Sequence, residues 1–332
     1  YFQATDLGEH PLLTPDEQLV AAGGGRAAEP SDATVWRASK KGRLVSLANA
    51  GERLEVEGRT AFRLTTAKGC ATWPEAQVDV SGRPHTGVTP FQEVRGYVDA
   101  HTHHMAYEFL GGEVHCGKPW DRFGVEVALT DCDDHNATGG YGALLETALS
   151  GEVGHDPVGW PTFKDWPAPA SLTHEGTYYR WMERAWRGGQ RLFTNLLVEN
   201  NQLCQLYPLK RNSCDDMDSV RLQIQRTFEF QDYVDAQFGG PGKGCYRVVT
   251  SPFEARRVIN QGKMAVILGI ETSVPFGCTF KNVPLLGDVP ACDEEEIATQ
   301  IEEMHDLGVR QMEIVNKFDN ALSGIAGDAG ET

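Results

Sequence analysis

The chain has 332 residues, 40 % of them hydrophobic and 23 % charged, and its 30 Lys and Arg residues against 47 Asp and Glu residues give a net charge of −17. This acidic balance excludes the cationic surface with which a nucleic-acid-binding protein displaces counterions from phosphates. No apolar run approaches the roughly 18 residues of a membrane span. We therefore expect a folded protein with no nucleic-acid partner and no membrane-spanning segment.

The N-terminal part of the chain is predicted to contain three different segments. Residues 1–3 (YFQ) resemble the tail of a purification-tag site, so native sequence is expected to begin near residue 4. Residues 4–33 include a small-residue run at 21–30 (AAGGGRAAEP) that predicts an irregular linker. Between residues 34 and 93, alternating runs between turn signals predict a small antiparallel β-domain. These runs are RLVSLA, ERLEVEG, TAFRLTT and AQVDVSG.

From residue 94 to residue 332, apolar runs rich in β-branched residues alternate with helical stretches, an order typical of an α/β fold with a parallel sheet or barrel. The predicted strands are Tyr97–His101, Leu192–Val198, Tyr246–Val249, Met264–Gly269 and Gln311–Val315. The predicted helices are Tyr178–Arg187, Met217–Gln237, Pro252–Gln261 and Asp293–Leu307. Segments 105–175 and 272–292 are too long for simple connections and predict insertions that build the rim of a site.

The chain has eight cysteines, an even number and a high one for a cytosolic hydrolase. Disulfides formed in an oxidising compartment are the favoured explanation, which predicts a secreted or periplasmic protein, and buried free thiols are the alternative. Three pairs of near neighbours bracket loops and are candidate bridges, although eight cysteines allow 105 pairings and the sequence does not choose among them. These pairs are Cys204 with Cys214, Cys278 with Cys292, and Cys116 with Cys132.

The segment VDAHTHH contains the residues best suited to carry chemistry. Side chains alternate along a strand, so His101 and His103 point to the same face and can hold one metal ion between them. Neutral imidazoles are ordinary ligands of Zn²⁺. His104 points the other way and is predicted to be a supporting or structural residue, and Asp99 is predicted to orient the histidines. The alternative is a fortuitous histidine cluster in a loop.

This segment resembles the first-strand metal motif of the amidohydrolase superfamily. The run GKMAVILGIE, which ends at Glu271, resembles the strand that ends in a metal-bridging Glu in the membrane (renal) dipeptidase family. The run LGVR and residues 311–320 are similar to the helix end and the strand that follow in that family. The resemblance extends from about residue 96 to about residue 327.

The resemblance implies a (β/α)₈ barrel of the TIM type and a binuclear Zn²⁺ site with His101, His103 and Glu271 as ligands. It implies hydrolysis of a small peptide or other amide by a metal-activated hydroxide. Two positions differ from the dipeptidases. His103 occupies the place of an Asp, and Asn316 occupies the place of a substrate-contacting His.

In the family, the remaining ligands and an acid/base Asp lie on later strands, so this Asp is expected beyond residue 332. The N-terminal segments and insertions also leave too few residues for eight strand–helix units of about 30 residues each. The chain is therefore expected to hold about five of the eight strands, and a companion chain is expected to supply the others, because an open sheet would leave an unpaired buried edge.

Two other functions are compatible with the sequence. One is a catalytically lapsed barrel that serves as a binding or structural module. The other is a mononuclear, deaminase-type hydrolase, in which Glu271 would lie too far from His101 and His103 to share a metal with them. The separation between these side chains distinguishes this last alternative from the binuclear site.

Overall fold

The computed structural model describes residues 4–70, 72–87, 93–130, 144, 148, 158–167 and 173–326. The chain divides into two compact units. The first comprises Tyr1–Gln77, Trp120–Ala128 and Phe230–Cys245. The second comprises Val78–Pro119, Leu129–Glu229 and Tyr246–Thr332.

The first unit contains an antiparallel sheet of four strands in the order β1-β4-β5-β6, and a two-stranded pair, β2 with β3. The strands are β1 (Glu9–Pro11), β2 (Leu19–Val20), β3 (Arg26–Ala27), β4 (Val35–Lys41), β5 (Leu44–Asn49) and β6 (Glu52–Arg53). Trp36 of β4 is buried and donates a hydrogen bond from Nε1 to the carbonyl oxygen of Val20 at 2.9 Å. The indole therefore links the pair to the sheet.

The sequence predictions for this region are partly confirmed. The run RLVSLA forms β5, as expected, whereas TAFRLTT makes only one isolated pairing, of Phe62 with Val45, and AQVDVSG forms no strand. Residues 63–70 are exposed, so their alternation has no apolar layer to pack against. The predicted linker, residues 21–30, lies at the surface with no buried residue, and it includes the two-residue strand β3, which pairs with β2.

The second unit is built on a parallel sheet of five strands, which confirms the predicted α/β class. The path through the sheet is β13-β10-β8-β7, and β9 also pairs with β10. The strands are β7 (Tyr97–Thr102), β8 (Gln190–Glu199), β9 (Tyr246–Val248), β10 (Met264–Thr272) and β13 (Val309–Glu313). Closure into a (β/α)₈ barrel stays a prediction.

Strands β8 and β10 form the buried centre of this sheet. Both are buried along nearly their whole length, as expected for parallel strands that are covered on both faces, and β10 is a nearly continuous apolar run. They pair over eight successive positions, from Ala265 with Leu192 to Thr272 with Glu199. Among the residues that the structure describes, strand β7 pairs only with β8, and five of its six residues are exposed. The sheet therefore has a rigid centre and a more open edge at β7.

The helices follow the apolar periodicity of the sequence. They are α1 (Val125–Ala128), α2 (Tyr179–Gly188), α3 (Asn201–Leu206), α4 (Asp216–Gln237), α5 (Pro252–Asn260) and α6 (Glu294–Asp306). Met217, Val220 and Ile224 of α4 pack in one core cluster with Leu268 and Ile270 of β10, so this side of the helix faces the sheet.

The insertion predicted at residues 272–292 is an ordered hairpin of β11 (Phe280–Val283) and β12 (Gly287–Pro290). The Cys278–Cys292 disulfide closes its base, and helix α6 begins directly after it with Asp293 as its N-cap. The other insertion, 105–175, lies only partly within the described residues, and its described parts include a 3₁₀ segment at Ala106–Gly111 and helix α1.

Two of the predicted disulfides are confirmed, Cys204–Cys214 and Cys278–Cys292. Cys116 is also disulfide-bonded, whereas its predicted partner, Cys132, lies outside the described residues. Cys70 is an exposed free thiol, and Cys245 is a buried cysteine. Across the described part of the chain, no helix is both long enough and apolar enough to cross a bilayer.

Candidate metal centre

Strand β7 positions the two histidines that the sequence singled out. It runs parallel to β8, with Asp99 opposite Phe193 and Thr102 opposite Asn195. The backbone N–H of His101 donates a hydrogen bond to Oδ1 of Asp99 at 3.1 Å. Asp99 therefore supports the backbone that carries His101, which differs from the predicted role of orienting the imidazole rings.

Glu271 lies near the C-terminal end of β10, in the middle of the sheet. Val198 of β8 stands beside it on one side and Glu313 of β13 on the other. The C-terminal ends of parallel strands meet at one edge of a sheet, which is where open α/β folds place their ligands. The sheet thus brings Glu271 to the same edge as the histidines that follow the end of β7.

The three predicted ligand side chains meet at one point. Oε2 of Glu271 lies 2.6 Å from Nε2 of His103 and 3.0 Å from Nε2 of His101. The two Nε2 atoms are 3.1 Å apart. Among the described residues, these three side chains form the only group of three or more His, Cys, Asp or Glu whose ligand atoms all lie within 4.8 Å of one another.

This triangle of atoms fits a divalent cation. Ligand atoms about 2.1 Å from a common ion are separated by about 3 Å in octahedral and about 3.4 Å in tetrahedral coordination, so the two longer edges of the triangle, 3.0 and 3.1 Å, are close to the octahedral spacing. Two neutral imidazole nitrogens and one carboxylate oxygen are also a donor set that Zn²⁺ takes in peptidases. Because Glu271 contacts both histidines, the large separation expected for the deaminase-type alternative is not observed.

Two residues of the last strand region contact the outer side of this triangle. Asn316 donates a hydrogen bond from Nδ2 to Oε1 of Glu271 at 3.1 Å. Oε1 of Glu313 lies 3.7 Å from Nδ1 of His101. Sequence reasoning named Asn316 and missed Glu313. The available signal was an acidic residue inside the predicted strand run QMEIV, where a buried strand would carry an apolar side chain.

The electrostatics of the centre reflect its two adjacent carboxylates. Burial raises the pKa of the Glu313 carboxyl, and the neighbouring Glu271 raises it further, whereas His101 and His103 oppose the change. The side chain of Glu271 is only 11 % exposed, whereas His101 and His103 are 54 % and 36 % exposed. The centre is thus anionic at its base and open to solvent on the histidine side.

His104 points away from this centre, as the strand alternation predicted. It is fully buried, and its Nδ1 lies 3.1 Å from the hydroxyl oxygen of Tyr246. Burial lowers the pKa of His104 to about 4, and the negative charge of Glu175 only partly opposes this change. His104 is therefore a neutral core histidine that fixes the β7 end to the sheet.

His305, the one histidine that follows His174 in the sequence, is a surface residue of α6 with its side chain 64 % exposed. Comparison with known proteins finds no matching family model, no significantly similar curated protein and no significantly similar solved structure.

Proposed function

We propose that this protein is a metal-dependent hydrolase that cleaves amide or peptide bonds at the centre formed by His101, His103 and Glu271. The observation that carries the proposal is the convergence of three ligand atoms, two Nε2 and one Oε2, within 3.1 Å of one another. Three atoms that each carry a lone pair repel one another at this distance unless protons or a cation lie between them. A divalent cation satisfies all three at once.

The anionic base of the centre favours a cation. Glu271 and Glu313 are paired side by side in the sheet, and like charges directly opposite each other on neighbouring strands are destabilising. Among the described residues, no Lys or Arg forms an ion pair with either carboxylate. A bound divalent ion would therefore reduce the repulsion between the carboxylates of Glu271 and Glu313.

The partial exposure of the histidines favours catalysis over a purely structural metal. Structural Zn²⁺ sites are closed by four protein ligands, whereas catalytic sites hold the ion by three and leave a position for water or substrate. A divalent ion in such a site lowers the pKa of water and polarises a carbonyl oxygen. Here three protein ligands hold the ion, and the histidine side admits a small substrate.

The choice of an amide substrate rests on the resemblance of three segments to the amidohydrolase superfamily and its membrane dipeptidases. We also propose Zn²⁺ as the metal, a (β/α)₈ barrel as the complete fold and a secreted or periplasmic location. The ligand set supports Zn²⁺. The parallel strand order supports the barrel. The two disulfides support a secreted or periplasmic location.

The proposal is tested by measuring metal content and peptidase activity in parallel. We expect the purified protein to hold at least one Zn²⁺ per chain after equilibration and to hydrolyse members of a panel of dipeptides. The H103A variant should lose both properties, whereas H305A, which removes an exposed histidine of α6, should keep them. Less than one metal per chain, unchanged by H101A, would contradict the proposal.

A protein that binds the metal through these residues and hydrolyses no dipeptide or simple amide would be a metal-binding module without this activity. The same variants distinguish this outcome, because H103A would then abolish metal binding alone.

A further inference from the structure

Glu313, the last residue of β13, lies at the metal centre but outside the triangle of ligand atoms. Its Cα is paired with that of Glu271, so both side chains stand at the same level of the sheet. Its Oε1 lies 3.7 Å from Nδ1 of His101. The structure thus places a carboxylate against the ring nitrogen of His101 that does not face the other two ligands.

The tautomer of His101 determines what a carboxylate at this position can do. Nε2 of His101 is directed to Oε2 of Glu271 and Nε2 of His103. For Nε2 to offer a lone pair to a cation, the ring must be neutral and its proton must be on Nδ1. That N–H then needs an acceptor, and a carboxylate acceptor both fixes the ring and makes Nε2 a stronger donor to the metal.

We propose that Glu313 is a positioning residue of the metal centre, which accepts the Nδ1 proton of His101 in a hydrogen bond and so sets the ring's tautomer and orientation. The inference rests on the proposed metal site and adds a residue to it. Glu313 does not bind the ion directly, since Nδ1 and Nε2 point in different directions from the ring. Consistently, Glu313 is not in the group of mutually close ligand atoms.

The 3.7 Å separation between Oε1 of Glu313 and Nδ1 of His101 is longer than an ordinary hydrogen bond. The adjacent carboxylates of Glu271 and Glu313 repel each other. Neutralising Glu271 with a divalent ion removes most of this repulsion. Binding of the ion should therefore bring Oε1 of Glu313 to about 2.8 Å from Nδ1 of His101.

The test uses Co²⁺, whose visible absorption reports the geometry of its ligands. We expect the wild-type protein to bind Co²⁺, and E313Q, which keeps the shape but loses the charge, to bind it about 10- to 100-fold more weakly. The absorption bands of the E313Q complex should also shift. E302Q, which removes an exposed glutamate of α6, is the matched control and should behave like the wild type.

A general loss of structure is excluded by the thermal unfolding midpoint of metal-free E313Q, which should equal or exceed that of the metal-free wild type, because the variant removes the repulsion between Glu313 and Glu271. E313D, which restores the charge on a shorter side chain, should recover part of the affinity. Equal Co²⁺ affinity and identical spectra for the wild type and E313Q would overturn the role of Glu313 and leave the metal centre intact. Failure of the wild type to bind Co²⁺ would instead overturn the proposed function and this inference with it.

Discussion

Asn316 donates a hydrogen bond to one of the two carboxylate oxygens of Glu271. Its Nδ2 donates to Oε1 at 3.1 Å, while Oε2 of the same carboxylate faces both histidines. The two oxygens of Glu271 therefore have different environments. With Oε1 accepting from the Asn316 amide and Oε2 facing the histidines, the contact holds the Glu271 carboxylate in one orientation.

The first prediction concerns this contact. N316A removes the donor to Oε1, so the Glu271 side chain gains rotational freedom, and we expect Zn²⁺ affinity to fall about 10-fold. Isothermal titration of the metal-free protein with Zn²⁺ measures the change. N282A, which removes an asparagine that bonds to Asp288 in the exposed hairpin, is the control and should bind Zn²⁺ like the wild type. Unchanged affinity in N316A would show that the contact does not orient Glu271.

The ligand triangle could be predicted from the sequence because its signals are local. His101 and His103 are two residues apart in a strand, and Glu271 ends an apolar run. The contacts of Glu313 and Asn316 with this triangle could not be predicted, because they depend on the register of β13 against β10. That Glu313 stands beside Glu271 follows from the pairing of β13 with β10, which includes an irregularity at Leu268 and Gly269 that no sequence pattern announces.

The second prediction concerns Glu199, a fully buried carboxyl at the end of β8. Its Oε1 accepts the N–H groups of Asn200 and Leu110, whereas Oε2 has no hydrogen-bond partner among the described residues. Burial raises the pKa of Glu199 to about 7, and the charge of Asp216 adds to the change.

The sign of its effect on stability follows from linkage. Between the unfolded pKa, near 4.5, and the folded pKa, about 7, the folded protein holds a proton that the unfolded chain has released. Stability therefore falls as pH rises through this window. E199Q is never charged, so we expect it to unfold like the wild type at pH 5 and to be more stable by up to about 3 kcal/mol at pH 8.

Urea unfolding at a series of pH values measures this difference. E302Q, which removes a solvent-exposed carboxylate, should follow the wild-type curve at every pH. A stability difference between E199Q and the wild type that does not change from pH 5 to pH 8 would contradict a titration of Glu199 in this range.

The third prediction concerns the Cys278–Cys292 disulfide, which joins residues 14 positions apart at the base of the hairpin. Replacing both cysteines by serine frees this loop in the unfolded chain, and for a loop of this length the expected loss is about 2–3 kcal/mol of unfolding free energy. Denaturant unfolding without reductant measures it. C70S, at an exposed free thiol, should leave the midpoint unchanged, and an equal midpoint for the double variant would contradict the prediction.

The fourth prediction concerns the tip of the same hairpin. Leu285 has a φ of 74°, and Leu286 donates its N–H to the carbonyl oxygen of Val283 across the turn. This turn follows a proline and favours glycine at the position of Leu285. Because Leu285 is fully exposed, L285G loses no packing, and we expect a gain of about 0.5–1 kcal/mol in unfolding free energy.

The matched control is L286G, at the next residue, whose φ is not positive. It adds backbone freedom to the unfolded chain without relieving strain, so it should be neutral or slightly destabilising. Chemical denaturation of the two variants gives both values. A lower stability of L285G than of L286G would show that the turn does not strain Leu285.

The parallel sheet was predictable because its strands are apolar runs between amphipathic helices, and four helices fall within two residues of their predicted ends. The first unit was harder to predict. Residues 60–66 have the alternation of a strand, but Leu64 is half exposed and nothing apolar covers it. Alternation predicts a strand only where another layer buries one of its faces, and that layer depends on tertiary structure.

The long sequence separation within the ligand triangle has a thermodynamic consequence. His103 and Glu271 are 168 residues apart, so an unfolded chain cannot hold them together, and an ion that needs both can bind only the native state. Free metal concentration then becomes a variable of the folding equilibrium, adding about 2.7 kcal/mol when it exceeds the dissociation constant 100-fold. Supply of the proposed ion would therefore set how long the folded protein persists.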